Sequence, residues 1–252
     1  MRQFDSRLDG AIAITRDIYW VGFVEETTRL QCNPYVLIDD QDIVLFDPGS
    51  IPDFPRVMRK IIDLVNPRDI SWIVTSHQDP DVCGSLAVVE DVIDNPDLRI
   101  AAHINTVRLI QHLGLRSEFY PVDRNDFRLK LRSGRVLDFI FLPYLHSPGA
   151  IATYDRKSRA LFSGDFCGSL SKSADLFSMD GFPQTLDSFH QAYMPSNAVV
   201  RAGIKRLRDF QIDLLLPQHG SVIEGHHVKA AFSHLESLPC GVDLPEAMRR
   251  DA

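Results

Sequence analysis

The sharpest chemical signal in the chain is the stretch 77–81, which reads His-Gln-Asp-Pro-Asp. Alternate residues of an extended turn can point the same way, so His77, Asp79 and Asp81 can converge on one site, and Pro80 would stiffen the turn. Imidazole nitrogens and carboxylate oxygens are common metal ligands. A second interpretation is a polar loop in which Asp79 and Asp81 cap the helix that follows. The pentapeptide alone does not decide between a metal site and a helix cap.

Four side chains with metal-binding capacity each follow a short apolar run of the kind expected for a buried strand. The runs and their residues are 72–76 with His77, 137–142 with His146, 160–164 with Asp165, and 212–216 with His219. Two of these residues follow directly, and the other two follow after a short connection that contains proline. Because four predicted strands end in the same way, a metal site is favoured over a helix cap.

The elements around these runs alternate between strand and helix patterns. Strand-like runs open the chain at 11–15, 18–24, 34–38 and 43–46, with 39–42 as the turn between the last two. An amphipathic helix is predicted from the spacing of Phe54, Val57, Met58, Ile61, Ile62 and Val65. Further helical patterns cover 84–95, 105–113, 186–193, 199–210 and 228–238. This alternation predicts a layered α/β fold, in which functional residues collect at the carboxyl ends of the strands.

Composition restricts the classes of partner. With 252 residues, 44% hydrophobic content and no linker-like stretch, the chain is expected to form a single domain over 1–252. A net charge of −7 without a Lys/Arg cluster argues against nucleic acid or an anionic membrane as the partner. The basic stretch 205–208 is interpreted as the solvated face of a helix. No apolar run approaches the roughly 20 residues that a membrane span needs.

The four cysteines indicate the compartment. Cys32, Cys83, Cys167 and Cys240 form no CxxC pair, and no signal-peptide pattern opens the chain. These features predict a cytoplasmic protein with free thiols. Cys83 and Cys167 are close in sequence to predicted ligands, and we interpret them as small buried packing residues.

In their order along the chain, the proposed ligands resemble those of the metallo-β-lactamase fold. The pattern of that fold is His-x-His-x-Asp-His, followed by a separate His, an Asp and a final His. Three turns also match, namely Asp-Pro-Gly at 47–49, Ser-Gly-Asp at 163–165 and Pro-Gln-His-Gly at 217–220. The resemblance covers residues 15–225 approximately. It implies a four-layer αβ/βα sandwich with metals at one edge of two facing sheets.

Two departures from the hydrolases of this fold narrow the resemblance. Asp79 stands where the hydrolases carry their second His, and Val82 stands where they carry the His after the Asp. The resulting pattern, His-x-Glu/Asp-x-Asp, resembles that of the flavodiiron proteins and of their shorter relatives, the stand-alone oxygen-binding diiron proteins. The segment 189–196 is also similar to theirs.

This narrower resemblance implies a site of two irons. The implied ligands are His77, Asp79 and His146 for the first iron, Asp81 and His219 for the second, and Asp165 as a bridge between both. Three aspartates and an assumed bridging hydroxide carry four negative charges, which balance two ferrous ions. A His at position 79 would leave a surplus positive charge that suits hydrolysis. Mixed imidazole and carboxylate ligands suit non-haem iron, with zinc as an alternative occupant.

The function that the resemblance implies is the binding or reduction of dioxygen by an oxygen sensor or scavenger. No phosphate loop for FMN is visible in the sequence, so no flavodoxin-like module is expected. An external electron donor or a signalling partner is expected instead. Related diiron proteins pair head to tail, which implies a homodimer. If the chain is an enzyme, it is expected to be an oxidoreductase acting on dioxygen. The alternative is a dinuclear zinc hydrolase acting on a thioester, lactone or phosphodiester, against which Asp79 and Val82 argue.

No ligand role is assigned to the remaining histidines, because all six roles are already filled. They are His103, His112, His190, His226, His227 and His234. The neighbouring His226 and His227 are interpreted as exposed helix residues. His190 and Tyr193 share one helical face that could approach the site as neighbours of its ligands.

Overall fold

The computed structural model describes residues 10–23, 31–170, 176–177 and 181–246. Val24, the last residue of the predicted strand 18–24, lies outside these ranges.

Within the described residues, seven strands form a mixed sheet in the first half of the chain. In sheet order they are Ile12–Ala13 (β1), Ile18–Trp20 (β2), Tyr35–Asp39 (β3), Asp42–Phe46 (β4), Ile70–Val74 (β5), Arg99–Ala102 (β6) and Glu118–Pro121 (β7). Neighbours from β1 to β4 are antiparallel, and those from β4 to β7 are parallel. The parallel half needs crossover connections, which the intervening helices supply.

Six further strands of the described residues form the second sheet. They are Arg128–Lys130 (β8), Val136–Phe141 (β9), Ile151–Asp155 (β10), Ala160–Gly164 (β11), Leu214–Pro217 (β12) and Ile223–Glu224 (β13). Their order across the sheet is β13-β12-β11-β10-β9-β8. Because β9, β10 and β11 alternate in direction and β12 is parallel to β11, the strands β9, β11 and β12 all end at the same edge.

Helices cover the outer face of each sheet. The α-helices are Phe54–Leu64 (α1), Pro80–Cys83 (α2), Leu86–Ile93 (α3), Ile104–Ile110 (α4), Asp187–Tyr193 (α5), Asn197–Leu207 (α6) and Gly225–Leu235 (α7). Short 3-10 helices lie at Pro67–Asp69, Gln111–Leu113, Val122–Arg124, Gln184–Leu186 and Gly241–Asp243. No helix of the described residues has the length and apolar character needed to cross a membrane.

Three apolar clusters hold the layers together. Between the two sheets, the ring of Phe46 from β4 stacks on that of Phe162 from β11 with centroids 3.8 Å apart. A second cluster joins α1, α3 and α4 to the outer face of the first sheet. A third joins α5, α6 and α7 to the outer face of the second. The order of layers is therefore helix, sheet, sheet, helix, and the predicted four-layer αβ/βα fold is confirmed.

The boundaries differ from the prediction in several places. The predicted face of α1 is right for Val57, Met58 and Ile61, which are buried, but wrong for Ile62, which is 55% exposed. Ile62 lies about 100° around the helix axis from Ile61, beyond the stripe that meets the sheet. The predicted turn 39–42 is also too long, because its first and last residues end β3 and begin β4. Their carboxylates are buried in the structure, where arginine and serine side chains hydrogen-bond to them.

Five strands of the described residues were not predicted from the sequence. They are β6, β7, β8, β10 and β13. Four of them have two to four residues, too few for a periodic pattern, and β10 is buried at every position although it contains Thr153 and Asp155. A strand buried on both faces shows no alternation of apolar and polar residues.

The proposed ligands follow strands of both sheets. His77 follows β5 of the first sheet, and His146, Asp165 and His219 follow β9, β11 and β12 of the second. The two sheets are joined at this edge by a hydrogen bond from the Ile151 amide to the carbonyl of Ser76, 3.0 Å long. One edge of the sandwich thus presents the ends of all four strands.

Candidate metal centre

The His77 side chain is oriented by the residues just before it. The Ser76 amide donates to Asp47 Oδ1 at 2.7 Å, and the Ser76 hydroxyl forms a 3.0 Å hydrogen bond with His77 Nδ1. Burial raises the pKa of Asp47 to about 6, against the lowering effect of the bond from Ser76. With Nδ1 engaged by Ser76, the other ring nitrogen faces the site. His77 Nε2 is buried and has no hydrogen-bond partner.

Asp79 and Asp81 lie on either side of the first residue of α2. Asp79 occupies the position before that helix, but its side chain makes no capping hydrogen bond. Its Oδ2 instead lies 3.1 Å from His146 Nε2, so the capping interpretation of Asp79 is wrong. Asp81 Oδ2 lies 3.3 Å from His219 Nε2. The two carboxylates therefore serve different imidazoles.

Gln78 and Cys83 hold this loop in place. The Gln78 amide nitrogen donates to Asp79 Oδ1 at 2.8 Å and to the Ser147 hydroxyl at 2.6 Å. The Cys83 thiol donates to the Gln78 carbonyl at 3.1 Å. Burial raises the pKa of Cys83 to about 12, so the thiol stays a neutral donor. Cys83 is thus a buried packing residue.

Asp165 lies at the centre of the site, and its two oxygens face different groups. Oδ2 is 2.9 Å from His146 Nε2 and 3.4 Å from His77 Nε2, whereas Oδ1 is 3.4 Å from His219 Nε2. The preceding Gly164 has a φ of +58°, and a Cβ there would lie 3.1 Å from Ser76. A side chain at Gly164 would strain both the turn and this approach of the two sheets. Glycine therefore lets Asp165 reach the middle of the site.

His219 is fixed from the opposite side of the site. Its Nδ1 donates to the carbonyl of Gln31 at 2.9 Å, which leaves Nε2 directed at Asp81 and Asp165. The Asn33 amide donates to the carbonyls on either side of His219, those of Pro217 at 3.0 Å and Gly220 at 2.7 Å. Such bonds fix the ring orientation of a metal-binding histidine.

A cysteine also reaches this half of the site. Cys32 pairs with His219 in an isolated antiparallel bridge. The Cys32 sulfur, a carboxylate oxygen of Asp81 and a ring nitrogen of His219 all lie within 4.8 Å of one another. His77, His146 and Asp165 form a second such group. The prediction did not include Cys32, because no ligand motif surrounds it in the sequence and the sheet pairing that brings it to His219 joins distant parts of the chain.

The aromatic segment at the end of α5 covers the site. The Phe189 ring lies 5.3 Å from that of His219 and stacks on Tyr193 at 4.7 Å. The Tyr193 ring lies 5.9 Å from that of His146 and is 44% exposed. His190, which shares this helical face in the prediction, is fully buried, and its ring nitrogens bond to the backbone of Leu186 and Cys167.

The other histidines take no part in the site. His103 is buried and accepts a hydrogen bond from the Asn105 amide. His226 is exposed, and the ring of His227 stacks on Phe182. His234 is paired with Asp187.

The imidazoles and carboxylates shift one another's pKa in opposite directions. Burial lowers the pKa of His146, but hydrogen bonds with Asp165 and Asp79 raise it to about 10. Burial raises the pKa of Asp165, but the charges of His77 and His219 lower it well below its usual value. A site whose carboxylates stabilise positive charge on imidazoles also stabilises a metal cation.

The donor set fits two metal ions. His77 Nε2 and Asp165 Oδ1 are buried polar atoms without hydrogen-bond partners, and a buried polar group of this kind is costly unless something binds it. The donors divide into a group around His77 and His146 and a group around Asp81 and His219, with Asp165 between them. Imidazole nitrogens and carboxylate oxygens are the ligands that non-haem iron prefers.

The protein has two facing sheets with outer helices, and these six side chains lie at the common edge of the sheets. This arrangement is that of a metallo-β-lactamase-fold protein of the flavodiiron type. The family model described as ODP family beta lactamase matches residues 30–220. This match covers more than half of the chain, and the chain belongs to that family.

Solved structures agree with this assignment. The apo state of the chemotaxis sensor ODP from T. denticola has a TM-score of 0.79 at 27% identity, covering 94% of this chain and 97% of its own. A peroxy diiron species of the chemotaxis sensor ODP has a TM-score of 0.77 at 27% identity, covering 92% of this chain and 97% of its own. The flavodiiron protein from Giardia intestinalis has a TM-score of 0.82 at 19% identity over 94% of this chain and 60% of its own, a likeness of fold alone.

The curated relatives are longer than this chain. A putative diflavin flavoprotein from Thermosynechococcus vestitus is 28% identical over 197 residues, which are 75% of this chain and 34% of the relative. A flavo-diiron protein from Clostridium acetobutylicum is 24% identical over 244 residues, which are 88% of this chain and 59% of the relative. The similarity thus spans a part of each relative.

Proposed function

We propose that this chain is a non-haem diiron protein that binds dioxygen. The observation that carries the proposal is the position of Asp165, whose carboxylate presents one oxygen to His77 and His146 and the other to His219. A carboxylate in that position can bridge two metal ions. Similarity to a chemotaxis sensor solved as a peroxy diiron species supports iron and dioxygen as the occupants.

The ligands divide by the half of the site in which they lie. In the first half, His77, Asp79 and His146 would hold one iron, and in the second half Asp81 and His219 would hold the other, with Asp165 shared. When bound, the iron pair supplies reversible electron transfer to dioxygen. The chain's own residues orient the imidazoles by hydrogen bonds to Nδ1 and shield the site with the rings of Phe189 and Tyr193.

Sensing or scavenging of oxygen fits this chain better than hydrolysis. Asp79 takes the place of an imidazole and adds a third carboxylate, which removes the surplus positive charge that hydrolysis would use. Val82, in the place of the hydrolases' next imidazole, is completely buried in the apolar cluster of α1 and α3 and cannot bind metal.

The partners follow from the same chemistry. Reduction of the irons requires an electron donor, and we propose that this donor is external to the diiron domain. A sensor would pass its state to a signalling partner, and pairing of two copies head to tail would give a homodimer. All four cysteines are buried and free, as expected in a reducing compartment such as the cytoplasm.

Metal analysis of anaerobically purified protein tests the proposal. Protein produced with ample iron should contain close to two irons per chain, and the colourless diferrous form should gain a visible absorption band on exposure to dioxygen. Slow decay of the band would indicate a sensor, and rapid cycling with an added reductase an oxidase. Two tightly held zinc ions per chain in iron-replete preparations, with no iron form obtainable, or full iron loading without any spectral response, would overturn the proposal.

A further inference from the structure

The second half of the metal site contains a potential donor in addition to the six proposed ligands, the thiol of Cys32. The Cys32 sulfur lies within 4.8 Å of both a carboxylate oxygen of Asp81 and a ring nitrogen of His219. Two ligand atoms bound to one ion at about 2.0 to 2.3 Å are at most about 4.6 Å apart, so a small shift at most brings this group to the distances of a shared ion. Cys32 is 5% exposed, so its thiol lies in the interior of the protein.

Asp165 provides an independent indication of a metal in this half. Its Oδ1 is buried, has no hydrogen-bond partner and lies 3.4 Å from His219 Nε2. Asp165 is 3% exposed, so its carboxylate is shielded from bulk solvent. The unpartnered oxygen therefore points into the same half of the site as the Cys32 thiol.

The backbone holds Cys32 in this position. Its bridge to His219 places the two residues side by side on adjacent extended segments. On one side of Cys32, the Gln31 carbonyl accepts the His219 Nδ1 proton, and on the other side the Asn33 amide nitrogen donates to the Gln218 carbonyl at 2.8 Å. The segment that carries the thiol thus also orients the imidazole.

We propose that Cys32 is a thiolate ligand of the second metal ion, beside Asp81, Asp165 and His219. This inference rests on the proposed dinuclear site and extends its ligand set. On binding, the thiol loses its proton to solvent and the sulfur forms a bond to the metal. Three aspartates and one thiolate then carry the four negative charges that balance two ferrous ions, without a bridging hydroxide.

The thiolate would make the two metal positions unequal. Sulfur is a softer donor than oxygen or nitrogen, and it favours zinc and cobalt more than carboxylates do. The first position has only imidazole and carboxylate donors within the described residues. The second position should therefore bind soft divalent ions more tightly than it would without the thiolate.

Cobalt(II) reports a thiolate ligand directly. The full chain, freed of metal by chelation, should be titrated with cobalt(II) chloride under anaerobic conditions at constant pH, with bound cobalt measured separately. A cobalt–thiolate bond gives an intense near-ultraviolet charge-transfer band, which imidazole and carboxylate ligands do not give. In wild-type protein the band should grow with one of the two cobalt ions bound.

Two cysteine variants make the test specific. Cys32→Ser should lose the band and bind that cobalt at least about tenfold more weakly, while the other cobalt stays bound. Cys240→Ser is the matched control, because this cysteine is also buried and its serine hydroxyl can keep the hydrogen bond to the Leu238 carbonyl, and it should keep the full band. An intense band that is retained in Cys32→Ser would overturn the proposal.

The outcomes distinguish this proposal from the function on which it rests. Two bound cobalt ions without a charge-transfer band would overturn the role of Cys32 and leave the dinuclear site intact. Failure of wild-type protein to bind a second cobalt ion would overturn the dinuclear site itself. Loss of the band in Cys32→Ser alone, with the band of Cys240→Ser unchanged, would support the thiolate ligand.

Discussion

At the scale of single residues, Asp165 and His219 illustrate how unequal the six proposed ligands are. Asp165 faces three imidazoles through two different oxygens, whereas His219 faces only Asp81 and one oxygen of Asp165. Removal of a group shared by two metals affects both, and removal of a terminal ligand affects one. The geometry thus ranks the ligands by the number of ions that each one holds.

We therefore expect Asp165→Ala to lose both metals and His219→Ala to lose mainly the second. Metal content after anaerobic reconstitution with iron measures both effects. Asp63→Ala, on the exposed face of α1, is a control that should keep two irons. Retention of both metals at wild-type affinity in Asp165→Ala would show that Asp165 is not the bridge.

Val82 tests the chemistry of the site at a residue that is not a ligand. We expect Val82→His to shorten the life of the oxygen-dependent absorption band while the iron content stays near two per chain. An imidazole next to Asp81 brings a polar donor to a position that is now apolar, and an apolar wall protects bound oxygen species from water. Stopped-flow absorbance after mixing the diferrous protein with dioxygen measures the lifetime.

The burial of Val82 requires a folding control for that variant. Val82 is fully buried, and an imidazole left there without a hydrogen-bond partner costs about 1 to 3 kcal/mol. Val82→Ile, which keeps the site apolar, should leave the band unchanged, and thermal unfolding should be recorded for both variants. An unaltered band in well-folded Val82→His would exclude any influence of this position on dioxygen.

At the scale of elements, the segment 31–35 connects the first sheet to the turn that carries His219. Asn33 is completely buried and uses both ends of its amide, donating to the Pro217 and Gly220 carbonyls and accepting from the indole of Trp20. The Tyr35 hydroxyl donates to the same Pro217 carbonyl at 3.0 Å. The position of His219 therefore depends on residues that do not touch the site.

We expect Asn33→Ala to weaken the second metal position without emptying the first. Each buried carbonyl left without a partner costs about 1 to 3 kcal/mol, and loss of a residue that orients a ligand lowers metal affinity by roughly 10- to 100-fold. Metal titration with chemical denaturation measures both. Asn125→Ala, which removes a half-buried bond to the Pro121 carbonyl, is the matched control and should keep both metals. Equal affinities in the two variants would contradict the orienting role.

The contrast between Asp165 and Cys32 explains what the sequence could predict. Asp165 directly follows a strand-like run, so local periodicity together with residue type was enough to select it. Cys32 is selected only by its pairing with His219, a contact between distant segments that leaves no periodic signal. The same reason explains β10, which is buried on both faces and pairs with strands on either side. Local patterns thus predicted the strand ends, and contacts across the sandwich could not be predicted from them.

At the scale of the whole molecule, the two sheets are also joined at a distance from the metal site. Arg135 has a side chain that is 2% exposed and donates to Asp155 through Nε at 2.9 Å and Nη2 at 2.5 Å. Its Nη1 lies 3.2 Å from Asp39 of the first sheet and 3.0 Å from Asp17. Arg135 and Asp155 belong to the second sheet and its margin, so one guanidinium joins carboxylates from both sheets.

This cluster makes the stability of the sandwich depend on pH. Burial raises the pKa of Asp155, but hydrogen bonds from Arg135 and Ser158 outweigh it and lower the pKa below its usual value. The pKa of Asp17 is lowered mainly by its hydrogen bond with Lys157, and Arg135 lowers it further. A carboxyl group with a lowered pKa in the folded state contributes stability above its unfolded pKa of about 4, and that stability is lost as the pH falls through the folded pKa.

We expect Arg135→Met to lower the free energy of unfolding at pH 7 by about 3 to 5 kcal/mol, because it leaves buried carboxylates without their counter-ion. Without the guanidinium, burial would raise the pKa of Asp155, so acid that protonates it stabilises the variant relative to wild type. The difference between the two proteins should therefore shrink as the pH is lowered from 7 towards 4. Urea denaturation of metal-free protein across this pH range measures the difference. Arg156→Met is the control, because it breaks a partly exposed ion pair with Asp138. Its effect on the free energy of unfolding should be small and depend only weakly on pH. A difference that stayed constant with pH would show that Arg135 stabilises the two sheets by packing and not by its charge.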